Sequence, residues 1–258
     1  MTALPALMYH AVAPVQGRLS RLGVPAGMLD DHLSALVGAG YRIVGLTEAL
    51  SLVTESADAR VVSLTFDDAY EDFLQAVPVL ERWDARATLY VPTAFVGGPA
   101  TWLGHHASAF SPLLDWDQIE SLAAGGRVEI GSHGRQHRQL DIASPDEVRD
   151  DVEGSRSDLQ SRLGREVVSF CYPHGYHTAT VRAAVERAGY LNACEVGRRV
   201  GGVADPFAVS RLEVTPAWST ARLLGEVASR RASVRSHVTR ALMPGWRLAR
   251  RSSRVVGA

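Results

Sequence analysis

The sequence predicts an α/β fold with a mainly parallel sheet. Three observations carry this. Short β-branched or apolar runs alternate with segments of helical periodicity along most of the chain. Side chains able to do chemistry, His10, Asp67, Asp68 and His133, stand at the carboxyl ends of those runs. The 258 residues suffice for one substantial domain with its own core, and no repeat of fixed period interrupts them.

In chain order, Leu4 to Tyr9 reads as a first strand ending at His10. Gly and Pro punctuate a loop from Pro14 to Gly27. Leu29, Leu33, Leu36 and Val37 mark one face of a helix over 29–39, with Asp30 and Asp31 near its start, where the helix dipole favours anions. A short strand over Tyr41–Val44 follows, then a helix capped by Thr47. Val61-Val62-Ser63-Leu64-Thr65-Phe66 is a buried strand that runs into Asp67-Asp68. A helix is predicted from Tyr70 towards Trp83, with Glu71 and Asp72 as first-turn carboxylates on a solvated face. Ala87–Val91 is the next strand, stopped by Pro92.

Thr93 to Leu114 is a long loop holding Trp102, His105 and His106, and loops of that length in compact domains are functional or disordered. An exposed Trp suits stacking on a sugar face. Adjacent histidines point different ways, so His105-His106 reads as loop or substrate contact. A helix begins at Asp115, and the strand Val128–Ile130 delivers His133. Ser144-Pro145-Asp146-Glu147 is a helix start with cap, Pro and acids, and that helix runs to Leu163. Val167–Cys171 is a strand delivering Tyr172-Pro173-His174-Gly175. A helix over 178–188 and strands over 191–196 and 208–214 complete the pattern, with Arg211 inside the last.

Composition narrows the partners. Hydrophobic residues make up 46% and charged residues 21%, as in a folded chain. The formal net charge of -1 gives no case for a nucleic-acid partner. Every basic residue is Arg, and the stretch from Arg230 onward is rich in it. Two cysteines, Cys171 and Cys194, do not make a disulfide framework. The amino terminus lacks a basic n-region and a signal-type apolar run, and no segment reaches membrane-span length. The expectation is a cytoplasmic protein. The basic tail, with Val234, Val238, Leu242, Trp246 and Leu248 interleaved, reads either as an amphipathic segment on the inner membrane face or as a terminal helix packed on the domain.

The chemistry is concentrated in two stretches. Two adjacent carboxylates at a strand end are costly unless a cation satisfies them. A divalent metal does so by binding one and leaving the other as a base. In Ser132-His133-Gly134-Arg135-Gln136-His137 two histidines stand four residues apart, on one helical turn or in a tight loop. Two His and one carboxylate with open positions make a catalytic metal site.

Thr65-Phe66-Asp67-Asp68 followed by Ser132-His133-Gly134-Arg135-Gln136-His137 resembles the first two motifs of the polysaccharide deacetylase family (NodB homology, carbohydrate esterase family 4). Cys171-Tyr172-Pro173-His174-Gly175 resembles its third. Met8-Tyr9-His10-Ala11-Val12 is similar to the opening of the biofilm-glycan subgroup. The resemblance runs from about Leu7 to Val214 and implies a distorted (β/α)7 barrel, a catalytic domain over 1–225 and a basic tail over 226–258.

The resemblance also implies roles. Asp68, His133 and His137 bind a divalent metal, zinc with cobalt or nickel as alternatives. Asp67 is the general base. A backbone N–H of the Tyr172-Pro173-His174 loop stabilises the oxyanion, Trp102 contacts substrate, and His10 is the general acid. The activity implied is removal of an N-acetyl group from an N-acetylamino sugar. Two alternatives stand beside it: an amide hydrolase of a small non-sugar substrate, and a glycan-binding protein without turnover. The chain departs from the family in two places. Cys171 stands where the third motif starts with an Arg that pairs with the base, and Arg211 is the candidate replacement, with a surface salt bridge as its other reading. No Leu-x-His motif closes the chain, and His237 in the tail is a poor substitute.

Overall fold

A computed structural model describes residues 3–197, 201–202 and 205–229. Seven parallel strands, Ala6–Tyr9, Val61–Phe66, Ala87–Val91, Val128–Ser132, Ser169–Cys171, Asn192–Gly197 and Val209–Glu213, pair in that order. The last returns to the first, with Leu212 opposite Leu7, and the first pairs with Val61–Phe66, so the ring closes. This is the expected distorted (β/α)7 barrel. Arg42–Val44 adds to the start of Val61–Phe66. The ring is thinnest where Ser132 alone registers against Phe170.

Strand residues alternate between two faces. One set, including Leu7, Leu64, Phe66, Leu89, Ile130 and Phe170, meets helix residues Leu33, Leu36, Leu80, Ile119, Leu159 and Val185 in one buried cluster. Each such side chain contributes about 1.5–3 kcal/mol by leaving water. The other set points into the barrel and is smaller or polar: Ser63, Thr65, Thr88, Ser169, Cys171, Cys194 and Arg211, all fully buried. Tyr90 fills the interior against Gly131, where a Cβ would lie 2.5 Å from the ring. Continuing this inward parity past the strand ends reaches His10, Asp67 and His133. The period of the strand therefore aims them at one mouth.

The structure departs from the sequence expectations in five places. The helix Leu46–Glu55 is entered from Gly45, and Thr47 lies inside its first turn with its hydroxyl donating to Glu129 instead of capping it. The segment after Tyr70 is not one helix. A 3-10 turn over Glu71–Gln75 gives way to Val77–Arg82, with Pro78 in the first turn. Proline lacks the N–H that a continuous helix needs. The long loop contains 3-10 turns at Thr93–Phe95 and Thr101–Ala109. The helix opened by the Ser144 cap, whose box with Glu147 forms, passes through a π turn at Asp150–Gly154 before Ser155–Leu163. A helix over Thr220–Ala228, capped by Ser219, buries Leu223 and Val227 and runs across position 225. The basic tail, with His237 and the membrane expectation, lies outside the described residues. Among those described, no helix is long and apolar enough to cross a membrane.

Candidate metal centre and active site

Asp67 continues the ladder of its strand through its N–H to the Tyr9 carbonyl, 3.0 Å. The chain then turns through the left-handed region at Asp68 (φ 73°) and Ala69 (φ 53°). Two consecutive non-Gly residues there cost about 1–2 kcal/mol each. Structure on both sides holds them, including the Leu114 N–H to the Ala69 carbonyl at 2.9 Å. The turn separates the carboxylates: Asp67 stays in the barrel and Asp68 swings towards the histidines.

His133 donates from Nδ1 to the Cys171 carbonyl at 3.0 Å, which leaves Nε2 as an acceptor. Nε2 of His133 lies 3.5 Å from Asp68 Oδ1, and Nε2 of His137 lies 3.3 Å from the same oxygen. Donors at the usual zinc distances in a tetrahedral site stand about 3.3 Å apart. Asp68 Oδ1 is buried and makes no hydrogen bond. Desolvation brings the His133 pKa down to about 4 against the pull of Asp67, so the ring is neutral. Asp68 Oδ1 and the two Nε2 atoms thus converge on one point, a donor set that fits a divalent cation. His137 reaches this place from a loop, not from a helical turn. Its φ is 50°, and Gly134 is at 75°.

Asp67 is held differently. Arg211, fully buried, donates from both terminal nitrogens to its two oxygens at 2.6 and 2.8 Å. The same guanidinium reaches Thr65 Oγ1 and Cys171 Sγ, both at 3.0 Å. Burial alone would raise the Asp67 pKa, but Arg211, then His133 and His10, bring it below the ordinary carboxylate range. Asp67 Oδ2 is 4.0 Å from His133 Nε2. Asp67, His133 and Cys171 form a second cluster of donor atoms. Burial pushes the Cys171 thiol far up, and Arg211 occupies Asp67, so this set does not suit a cation.

His10 is half-buried beside the pair. Desolvation lowers its pKa more than Asp67 and Asp68 raise it. Its loop is anchored by Asp72, which accepts the Val12 N–H at 2.7 Å. Asp72 is therefore not the solvated carboxylate expected from its place after Tyr70, because the tertiary fold brings the amino-terminal loop over it. Tyr70 is buried with its ring stacked on Phe110, 4.7 Å between centroids. Burial first, and then the Asp68 charge, keep its phenol protonated.

A family profile described as polysaccharide deacetylase matches residues 54–193, more than half of the chain. The chain belongs to the polysaccharide deacetylase family. Over 211 residues it is 26% identical to YxkH of Bacillus subtilis (strain 168), itself named as a polysaccharide deacetylase, with 81% of this chain and 67% of that one covered. The Streptococcus pyogenes deacetylase PplD, solved with acetate, superposes at TM-score 0.75 and 24% identity, covering 88% of this chain and 99% of that one. IcaB from Ammonifex degensii gives TM-score 0.75 and 24% identity, with 89% and 98% covered. These two likenesses show the shared fold. The matched segment of the chain contains Asp67, Asp68, His133, His137 and the Cys171 loop. His10 and Arg211 lie outside it, and barrel closure supplies them.

The remaining predicted residues are placed less uniformly. Tyr172 does not face the barrel mouth. Its ring is fully buried, its hydroxyl donates to the Phe207 carbonyl at 3.0 Å, and its N–H goes to the Cys194 carbonyl at 3.1 Å. Both groups are committed to the core, so the oxyanion and substrate role expected of it is corrected. Pro173 carries no N–H and is a buried wall. His174, at φ 60°, turns its ring edge to His137 at 4.7 Å. Trp102 is half-buried, not exposed, and stacks on His137 at 4.6 Å and 26°. His105 and His106 sit together with centroids 3.9 Å apart, and among the described residues they join no metal-type cluster. Asp151 and Asp72 carry no local sign of burial in the sequence, since each is a carboxylate beside a second carboxylate in a polar helical segment.

Proposed function

We propose that this family member is a metal-dependent hydrolase that removes the N-acetyl group from an N-acetylated amino sugar. The observation that carries this is the convergence of Asp68, His133 and His137 on one point, with Asp67 beside them kept ionised by Arg211. Asp68, His133 and His137 would hold zinc, cobalt or nickel, which when bound supplies Lewis-acid polarisation of the acetamide carbonyl and acidifies water.

The chain's own groups do the rest. Asp67 accepts the proton of the water that attacks the carbonyl carbon. Arg211 keeps Asp67 ionised and aligned without itself reaching the reacting atoms. The backbone N–H of His174, whose ring packs against that of His137, is the candidate oxyanion donor. His10, once protonated, passes its proton to the leaving nitrogen as the C–N bond breaks, giving acetate and a free amine. Cys171 at the third-motif Arg position favours a protein without turnover, and the Arg211 fork on Asp67 weakens that reading.

The test is metal content of the purified protein, followed by acetate release from N-acetylglucosamine oligomers with and without chelator. A bound divalent cation and chelator-sensitive release are expected. Bound metal without release from any sugar would sink the sugar reading and favour a small amide substrate. A chain that takes up no metal would favour glycan binding without turnover.

A further inference from the structure

Of the converging ligands, His133 continues its strand through its N–H to the Val91 carbonyl at 2.9 Å, whereas His137 hangs on a loop with no ladder of its own. We infer that Asp151, on the neighbouring helix, is the positioning residue that sets the separation of His133 and His137 and thereby the affinity of the site for its cation. The inference rests on the metal-site reading above.

The loop between the histidines is gripped from two sides. Asp151 Oδ1 accepts the N–H groups of Arg135 and Gln136, both at 2.9 Å. On the other side the N–H groups of Thr93 and Ala94 donate to the carbonyls of Gly134 and Arg135 at 3.2 and 3.0 Å. The peptide groups that join the two ligands are thus fixed by partners outside the loop. Irregular backbone with both faces bonded in this way has one conformation available to it.

Asp151 is built for this. It is fully buried, and its second oxygen accepts from Arg138 at 2.6 Å, one residue beyond His137. A buried carboxylate needs such a partner, and this one ties the far end of the same loop. The π turn at Asp150–Gly154 shifts the helix register where Asp151 leaves it. Ser155 closes the arrangement, donating to the Asp151 carbonyl at 2.5 Å and meeting Ser132 Oγ at 2.7 Å, next to His133. Two glycines let the parts approach. A Cβ on Gly134 would lie 2.7 Å from Asp151 Oδ1, and one on Gly154 would lie 2.6 Å from the Arg135 guanidinium. Arg135 is itself forked onto Asp158 at 2.9 and 2.7 Å and bonded to Asp150 at 2.7 Å.

The experiment compares wild type, Asp151→Asn and Asp151→Ala. Zinc affinity is measured by competition with a chromophoric chelator, and the thermal midpoint of the metal-stripped protein on the same samples. Asn keeps the shape and an acceptor oxygen but loses the charge facing Arg138. Partners that orient metal ligands are typically worth 10–100-fold in affinity, so zinc binding should weaken about 10-fold in D151N and more in D151A. Acetate release by D151N should recover at raised zinc, and its cobalt absorption spectrum should differ from wild type. Glu129→Gln is the control. Glu129 is bonded to Thr88 at 2.5 Å at the opposite end of the barrel, so this change should lower the midpoint and leave zinc affinity alone. Wild-type zinc affinity in the Asp151 variants would overturn the inference, as would an equal loss in E129Q. If D151A does not fold, D151N decides. Wild type that binds no zinc overturns the metal reading and this inference together, whereas zinc-binding wild type with unchanged variants overturns only this one.

Discussion

Arg211 and Asp67 are separated by 144 residues and meet through two parallel hydrogen bonds inside the barrel. The fork enters from a late strand, past a cysteine small enough to let it through, and it reaches the carboxylate that stands 4.0 Å from His133.

This pairing sets the first prediction. Arg211→Met leaves a buried carboxylate without its cation, a change that costs roughly 3–5 kcal/mol of stability. The Asp67 pKa should then rise, and kcat should fall by about 10²–10⁴, the range of a lost general base. Arg211→Lys retains the charge without the fork and should lose less of both. Thermal midpoints and acetate-release kinetics check this, and an R211M protein with unchanged kcat would remove Asp67 from the base role.

Chelation is the second. Removing the cation should abolish acetate release and lower the thermal midpoint, since a ligand at 100 times its Kd stabilises the folded state by about 2.7 kcal/mol. Zinc added back should restore both. Asp68→Asn should bind zinc more weakly, because an amide oxygen replaces the carboxylate between the two imidazoles. Calorimetric titration measures this directly.

The third concerns acid. His133 titrates near 4 in the folded protein against an ordinary value of 6.5. Between these values the unfolded chain binds a proton that the folded chain excludes, so unfolding takes protons up and stability falls as pH falls. The metal-free protein should lose stability as pH drops from about 6.5 to about 4, at up to about 1.4 kcal/mol per pH unit from this group. His133→Gln should flatten that part of the curve. Denaturant midpoints across the window test it, and a curve of equal slope in both proteins would assign the effect elsewhere.

His10 and Asp72 make the fourth. Asp72 holds the His10 loop through the Val12 N–H. His10→Ala should lower kcat by about 10²–10⁴ with little change in zinc affinity. Asp72→Ala should lower kcat in the same sense but less, because the imidazole remains and only its placement relaxes. If H10A weakened zinc binding as much as Asp68→Asn, His10 would belong with the ligands and not with the acid.

Local pattern carried the barrel strands and the helix that opens at Ser144, together with the positions of Asp67, Asp68 and His133, because alternation and capping are written within a few residues of each other. The same pattern could not say whether His137 sits on a helical turn. Its left-handed φ of 50° is imposed by partners on other elements. Nor could it separate Asp72 and Asp151 from solvated acids, since their burial depends on which chain segment lies over them. Tyr172 followed the opposite course: its motif placed it at the mouth, and packing turned it into the core.

By itself, then, the sequence determined which strands exist, which way their residues alternate, and that two carboxylates and two imidazoles leave those strands at the same end. Only the tertiary structure decided what each group touches there. Closing the ring brings Val209–Glu213 beside Ala6–Tyr9 and so carries Arg211 to Asp67 and His10 to the same mouth. The physical reason is range: alternation is set by neighbours along the chain, whereas pairing a buried charge depends on segments that meet only after the barrel closes.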